Sequence, residues 1–355
     1  MILSGKKWTA AFIAVLLALL MGMGAVTAVI DPYFHYHKPL ERYQYVIENQ
    51  RYQNNGIVKH FDYDAVITGT SMSENFKTSE MNEIFGVNAV KVPFSGSSYR
   101  EINDNLVVAA GHNPKLKMIL RCLDYDDLLS PADMMNYEED SYPWYLYDDF
   151  LLNDAEYVFN KEILLGDTYG VIKYTKAGGT TTDFDTYGNW MEGRTFGKEA
   201  LDQLYERPVK AEKITDITED DYKTIEENIT KNVTDLAKKY PEIDFYLFFS
   251  PYSIYFWDQL HQEGILERQL DAEKYAIELM LQCDNIHLFS FFTEHWMICD
   301  LNNYKDILHY HEAVNTQILY WMKDGTGELT WENYEEYCGR MRDFYVQYDY
   351  DSLFQ

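Results

Sequence analysis

A serine at the end of a short apolar run is the first residue of this sequence that could do chemistry. A run of Ala, Val and Ile stops at Gly69, Thr70 and Ser71, and a polar stretch that can begin a helix follows. A serine at a strand-to-helix turn exposes its hydroxyl, and the first N–H groups of the next helix can bind an anion. That geometry suits a nucleophile. Taken alone, this stretch favours the simpler interpretation, in which Ser71 only caps the next helix.

A nucleophilic serine also needs a general base and an acid that orients the base. Asp306 and His309 stand three residues apart near the end of the chain. This spacing can place the carboxylate on Nδ1–H of the imidazole, which leaves Nε2 to take the proton of Ser71. His311 is expected to point elsewhere. Most Asp-x-x-His pairs lie on protein surfaces by chance, so this pair alone is a weak indication of catalysis. It becomes a stronger indication in combination with Ser71.

The elements that must position these residues alternate between strands and helices. Short apolar runs bounded by polar or turn residues predict buried strands at 64–70, 87–95, 116–124, 244–252 and 285–292. Amphipathic patterns predict helices at 98–112, 219–240, 267–283 and 311–323. The alternation predicts a mainly parallel sheet covered on both faces. Ligands bind at the carboxyl ends of such strands, and Ser71 and the Asp306–His309 pair both fall at that edge.

The N-terminus predicts a membrane-spanning helix. The segment from Trp8 to Ile30 carries no charge and is long enough to cross a bilayer with some tilt. Lys6 and Lys7 before it predict a cytoplasmic N-terminus and an extracytoplasmic main domain in the cell membrane. A cleaved signal peptide is the alternative, because the segment 25–28 (AVTA) is a plausible cleavage site. The length of the apolar run favours an uncleaved anchor.

The chain is expected to have four regions. These are a cytoplasmic stub and transmembrane anchor (1–31), a juxtamembrane segment (32–60), an α/β domain (61–323) and a C-terminal helical tail (324–355). The part from about 125 to 215 breaks the alternation and predicts an insertion, partly helical near 145–165. Its aromatic and acidic residues suit either a carbohydrate-binding surface or a packed tyrosine-rich lobe.

Composition and motifs argue against several classes of function. The chain has 58 acidic and 30 basic residues and a formal charge of −28, which disfavours nucleic acid as a partner. The four cysteines lie far apart without a C-x-x-C spacing, so neither a zinc site nor a redox pair is predicted, although one disulfide bond could form. No His-Glu-x-x-His or Asp-rich loop occurs, and no metal or other cofactor is predicted.

With these motifs in place, the sequence resembles the SGNH/GDSL hydrolases. Gly-Thr-Ser at 69–71 looks like the first block of that family, and Asp306-Ile-Leu-His309 looks like the last. The closest likeness is to the membrane-anchored, DltD-like subgroup of the teichoic-acid D-alanine transfer and alginate O-acetylation proteins. "DP" just after the apolar segment, "GTSMSENF", a later Ser-Gly-Ser and "NNYKDILHYH" all fit it. The likeness covers the order of elements from about 60 to 323.

The resemblance implies a fold, a set of roles and partners. The fold would be a flavodoxin-like three-layer α/β/α sandwich. Ser71 would be the nucleophile, His309 the general base and Asp306 its orienting acid. The chemistry would be extracytoplasmic acyl-ester chemistry on a cell-envelope polysaccharide or teichoic acid, and the implied protein partner is a membrane-bound O-acyltransferase.

The sequence departs from the family at the oxyanion positions. Thr70 stands where the family has Asp, and Gly96, beside Ser97, matches the glycine whose N–H faces the oxyanion. Asp124 stands where the family supplies an Asn side chain, and an ionised Asp cannot donate a hydrogen bond. Either Asp124 is protonated, or it binds the acceptor hydroxyl, or the donor comes from elsewhere. Arg121, inside a predicted strand, is expected to pair with Asp124 or a nearby carboxylate.

Three functions follow from these features. The preferred one is acyl transfer, most simply of acetyl groups, through an acyl-Ser71 intermediate to a hydroxyl of the envelope polymer. The second is a carbohydrate esterase that uses the same triad with water. The third is a non-catalytic, membrane-anchored polysaccharide-binding or scaffold protein, which the missing oxyanion Asn would favour.

Overall fold

The computed structural model describes residues 5–138, 141–148 and 150–355. The chain divides into two compact units. The first combines Met1–Asp62 with Asp140–Asp183, and the second combines Tyr63–Glu139 with Phe184–Gln355. The predicted insertion at about 125–215 therefore contributes its middle to the first unit and both of its ends to the second.

The second unit contains a mixed sheet that is parallel except at one edge. Its strands, in the described part of the chain, are β1 (Ala65–Gly69), β2 (Ala89–Pro93), β3 (Met118–Leu123), β4 (Asp244–Phe249), β5 (Ile286–Ser290) and β6 (Glu328–Leu329). Their order is β2-β1-β3-β4-β5-β6, and only the β5–β6 pair is antiparallel. The five parallel strands lie within the five predicted runs. The two-residue β6 was not predicted, since it is too short to show a pattern.

Helices lie on both sides of this sheet, as the alternation of patterns predicts. The α-helices of the described residues are α1 (Gly5–Ile30), α2 (Gln50–His60), α3 (Thr78–Phe85), α4 (Tyr99–His112), α5 (Ala155–Val158), α6 (Tyr169–Lys176), α7 (Lys198–Leu204), α8 (Glu219–Ile229), α9 (Asp235–Lys239), α10 (Ile254–Gln262), α11 (Leu266–Met280), α12 (His295–Ile298), α13 (Glu312–Asp324) and α14 (Tyr334–Gln347). A π-helical turn joins α8 to α9, and another precedes α6. The four predicted helices correspond to α4, α8–α9, α11 and α13, and the predicted tail helix corresponds to α14.

Arg121 on β3 is a buried cation in a mainly apolar sheet, as is Lys91 on β2. All residues of β1, β2 and β3 are buried, which fits strands covered on both faces. The Arg121 guanidinium donates to the carbonyl oxygens of Asn232 (2.7 Å) and Tyr99 (3.2 Å) and lies 5.2 Å from the centre of the Tyr99 ring. The prediction that a carboxylate pairs with Arg121 is therefore wrong. Backbone carbonyl oxygens and the face of the Tyr99 ring contact its guanidinium instead. Burial lowers the pKa of Arg121 to about 10.

The first unit begins with α1 and a tight turn. Within the described residues α1 is the one helix long and apolar enough to cross a membrane, a property that a signal sequence would share. The fully buried Asp31 follows it directly. Its carboxylate accepts hydrogen bonds from the backbone N–H groups of His35 (2.9 Å), Tyr36 (2.8 Å) and His37 (3.0 Å) and from the Tyr157 hydroxyl (2.7 Å). Charge-assisted bonds of this kind fix the chain direction after the helix.

The end of β1 requires a glycine. Gly69 has a φ of 143°, and a Cβ at this position would lie 2.0 Å from Sγ of the buried Cys122 on β3. Gly86, at the end of α3, also has a positive φ of 70° but has open space around it. Replacing each glycine by alanine therefore distinguishes the cost of backbone strain alone, at Gly86, from that of strain plus steric overlap, at Gly69.

We predict that Gly69→Ala destabilises the protein by about 3 kcal/mol or more, because overpacking adds to an unfavourable backbone conformation. Gly86→Ala should cost only about 1–2 kcal/mol, the strain of the left-handed conformation alone. Urea unfolding of both variants, followed by near-UV circular dichroism, measures the difference. Equal losses for the two variants would contradict the close approach of β1 and β3.

Candidate active site

Ser71 begins a single 3-10 turn immediately after β1. Thr70, and not Ser71, is the capping residue: its side-chain oxygen accepts from the N–H of Met72 at 3.4 Å. The hydroxyl of the next serine, Ser73, donates to the Thr70 carbonyl at 2.8 Å. The interpretation of Ser71 as a cap is therefore wrong, and its half-buried hydroxyl has another partner.

That partner is His309. Ser71 Oγ and His309 Nε2 lie 2.8 Å apart, although the two residues are 238 positions apart in the sequence. His309 Nδ1 in turn lies 2.9 Å from Oδ2 and 3.0 Å from Oδ1 of Asp306. The structure thus brings the three residues together in the order hydroxyl, imidazole, carboxylate. His311 does not take part in this hydrogen-bonded series. Its ring caps α13 by accepting from the N–H of Ala313 at 3.1 Å.

The loop that carries Asp306 and His309 is fixed by backbone contacts. Tyr304 and Tyr310 form an antiparallel bridge that closes the loop. The N–H and hydroxyl of Ser253 donate to the Ile307 carbonyl at 3.1 and 2.9 Å, and the Tyr304 hydroxyl donates to the Pro251 carbonyl at 2.8 Å. Ser253 and Pro251 follow β4, so the loop is held at the carboxyl end of that strand.

The surroundings of Asp306 favour its ionised form. Burial by itself would raise the pKa of this carboxyl. The pKa is nevertheless held well below its usual range, first by the hydrogen bond and charge of His309, then by the hydrogen bonds from Lys305 and from the His309 N–H. Lys305 Nζ lies 2.8 Å from Oδ2, and the N–H groups of Leu308 and His309 donate to Oδ1 at 3.0 and 2.8 Å. The carboxylate is therefore fixed in position and charged at neutral pH.

Trp190 also belongs to this site, and sequence reasoning missed it. The edge of its ring system meets the His309 ring at 89° with 5.4 Å between centroids. Its indole N–H donates to the Ser71 carbonyl at 3.3 Å, its backbone N–H donates to Asn75 at 3.1 Å, and Lys305 Nζ lies 4.6 Å from its ring centre. Trp190 lies in a stretch rich in glycine and aromatic residues. That composition predicts a loop, but it does not predict that the loop contacts Ser71. Lys305 adjoins Asp306 in sequence, and that adjacency was a usable signal.

The turn after β2 contains the two residues expected near the oxyanion. Gly96 has a φ of 64° and is exposed, and the N–H of Ser97 donates to the Phe94 carbonyl at 3.1 Å. The Ser97 side chain is 2% exposed, and its hydroxyl has no hydrogen-bond partner in the described part of the chain. Both residues follow a strand that pairs with β1, at the same sheet edge as Ser71.

Asp124 directly follows β3 at the same edge. It is 8% exposed, and its Oδ1 accepts a 2.6 Å hydrogen bond from the buried Tyr252 hydroxyl. Burial raises the pKa of Asp124 to about 6, the negative charge of Asp126 adds to the shift, and hydrogen bonds from Thr70 and Tyr252 oppose it. The protonated form, which can donate a hydrogen bond, is therefore accessible in mildly acidic solution.

The described residues contain no group of three or more His, Cys, Asp or Glu side chains placed to hold a metal ion. All four cysteines are free thiols. What the site offers is a hydroxyl, an imidazole and a carboxylate in sequence, the pattern of nucleophilic acyl transfer.

Comparisons with known proteins leave the family of the chain open. No family model matches it, and no curated protein matches it. A solved structure from Streptococcus pneumonia, provisionally described as a platelet activating factor, is similar at 10% identity and a TM-score of 0.38, over 89% of this chain and 98% of that one. A likeness of this strength carries no argument about fold or function.

We predict that Asp306→Asn slows acylation of Ser71 by about 10²–10⁴-fold, because the amide no longer fixes the imidazole tautomer. Single-turnover release of nitrophenol from p-nitrophenyl acetate measures this rate. Asp300→Asn is the matched control, since Asp300 lies in the same loop region and its carboxylate accepts from the N–H and the side-chain amide of Asn302. Equal rates for both variants would show that Asp306 has no part in the reaction.

We also predict that Asp124→Asn changes the pH dependence of stability. The folded state raises this pKa from 3.8 to about 6. The folded protein therefore binds the proton more tightly, and its free energy of unfolding falls as the pH rises from about 4 to above 6. The variant should lack that component, at most about 3 kcal/mol for a shift of about two pKa units. Urea unfolding at pH 4 and pH 8 tests this, and an unchanged pH profile in the variant would contradict it.

Proposed function

We propose that this chain is a serine acyl-transfer protein. The observation that carries the proposal is the hydrogen-bonded series Ser71 Oγ, His309 Nε2 and Nδ1, Asp306 carboxylate, with distances of 2.8 and 2.9 Å. The half-buried serine stands at the carboxyl end of a parallel strand, where ligands bind in sheets of this type. The general fold we propose is the flavodoxin-like three-layer sandwich of SGNH hydrolases, with Ser71, His309 and Asp306 in the roles that the likeness assigns.

The reaction would proceed in two half-reactions. His309 Nε2 takes the Ser71 proton while Oγ attacks the acyl carbonyl, and His309 Nδ1–H keeps donating its hydrogen bond to the Asp306 carboxylate. The imidazolium then protonates the leaving oxygen, and an acyl ester remains on Ser71. In the second half, His309 takes a proton from the acceptor hydroxyl, that oxygen attacks the ester, and the proton returns to Ser71. No cofactor is needed in either half.

The negative oxygen of each tetrahedral intermediate needs donors. We assign Gly96 N–H and the Ser97 hydroxyl to this task, together with Asp124 in its protonated form. Ser97 supports the assignment because its hydroxyl is buried without a partner in the described chain. Asp124 supports it because burial favours the neutral acid. Loss of one such donor costs about 10²–10³ in rate in other enzymes.

The acceptor we propose is a hydroxyl of an envelope polysaccharide or teichoic acid, and the acyl group would come from a membrane-bound O-acyltransferase. This location depends on α1 being an uncleaved membrane anchor with the main domain outside the cell membrane. Packing of the helix supports an uncleaved segment: Thr27 and Ile30 are 0% and 3% exposed, and the Tyr45 hydroxyl donates to the Ile30 carbonyl at 2.8 Å. Cleavage at 25–28 would remove part of this packing.

A carbohydrate esterase is the second candidate, and one observation favours it. The side chains of His309 and Asp306 are 21% and 23% exposed, so water has access to the base. Water would then take the place of the sugar hydroxyl in the second half-reaction.

We predict that full-length protein in detergent, incubated with p-nitrophenyl acetate, gains one acetyl group by intact mass, and that Ser71→Ala does not. Ser73→Ala is the control, because its hydroxyl bonds only to backbone and the nucleophile remains. Addition of envelope glycans should then speed loss of the adduct and acetylate the glycan. Loss of the adduct to water alone, unaffected by glycans, would identify the esterase. No adduct in the wild type would favour a non-catalytic binding protein.

A further inference from the structure

An unusual number of large apolar side chains are exposed in one stretch of the first unit, residues 150–169. The exposed fractions are Phe150 59%, Leu151 75%, Leu152 77%, Phe159 47%, Leu165 60% and Tyr169 57%. Soluble surfaces usually scatter such residues singly. Their concentration in one short segment marks a surface that contacts something apolar.

This segment packs against the last turns of α1. A Cβ on Gly24 would lie 3.1 Å from the Phe159 ring and 3.6 Å from Cβ of Val158, so α5 and the residue after it approach the helix backbone closely. At a rise of about 1.5 Å per residue, Gly24 is about 9 Å from the end of α1 at Ile30. The 150–169 segment therefore lies beside the apolar part of the helix and not beyond its end.

Part of the 150–169 segment is nevertheless buried in the core of the first unit. Tyr157 and Ile163, from the same segment, are 0% and 3% exposed and pack with Tyr33 and Leu146. The Tyr157 hydroxyl also donates to the Asp31 carboxylate, and the Tyr33 hydroxyl donates to Asp167 at 2.8 Å. The segment is thus amphipathic, with one set of rings buried in the first unit and another set of apolar side chains turned outward.

We propose that the 150–169 segment is a second membrane-contacting element, which inserts its apolar side chains into the outer leaflet beside α1. The occupant is the lipid bilayer, and the argument is continuity: the exposed side chains extend the apolar surface of a helix that is itself long enough to span it. Exposed charged residues of the segment, such as Glu156, Lys161 and Glu162, can extend to the headgroups, as in other interfacial elements. This proposal is independent of the acyl-transfer chemistry.

The test places a nitroxide spin label at single positions of the full-length protein in phosphatidylcholine nanodiscs. The labelled variants are Leu152→Cys and Leu165→Cys, whose side chains are exposed, so that labelling leaves the core intact. Leu19→Cys, 61% exposed in the middle of α1, is the lipid reference. Val209→Cys, 94% exposed between Arg207 and Lys210, is the aqueous reference, and unsubstituted protein corrects for labelling of native cysteines.

The readout is the ratio of collisions with oxygen, which enriches in lipid, to collisions with a water-soluble nickel chelate. We expect Leu152 and Leu165 to give ratios several-fold above that of Val209 and close to that of Leu19. Ratios equal to that of Val209 at both positions would overturn the proposal, because the exposed side chains of the segment would then lie in water. Agreement between two positions excludes a local effect of either label.

Discussion

Parallel pairing of β1 with β3 and of β3 with β4 is the constraint on which the candidate site depends. Because these strands run in one direction, the chain leaves each of them at the same edge of the sheet. The serine leaves β1 there, Asp124 leaves β3 there, and the residues after β4 hold the histidine loop by hydrogen bonds to its backbone. No contact between Ser71 and His309 would be expected from their separation of 238 residues without this geometry.

Two carboxylates at this edge have opposite environments. Asp306 receives hydrogen bonds from an imidazole, an ammonium group and two backbone amides, and its pKa lies well below the usual range. Asp124 is buried near a further carboxylate, and its pKa is raised to about 6. Paired groups whose pKa values are separated in this way divide tasks between a permanent charge and a proton donor. Such a division would give this sheet edge both a fixed negative charge and, in mildly acidic solution, a hydrogen-bond donor.

The sequence predicted the elements better than the contacts between them. The five parallel strands could be predicted because each is a continuous apolar run. The contact between Asp306 and His309 could be predicted because the two residues are only three positions apart. Ser71 and Thr70 compete for the same cap, and only the structure distinguishes them. The carbonyl partners of Arg121 could not be predicted, since every residue has a carbonyl. Trp190 reaches the site from a loop without periodicity, and the division into two units depends on packing between distant segments.

The turn at Asp31 has a mechanical consequence. A flexible linker after a membrane helix lets the attached unit swing widely, and that orientational freedom is lost whenever it docks. Here the carboxylate of Asp31 ties three successive backbone amides and a tyrosine directly to the helix end. These bonds restrict the turn after α1, so we expect α1 and the residues that follow it to move together. Were α1 to span a bilayer, a change in its tilt caused by hydrophobic mismatch would therefore turn the first unit by the same angle.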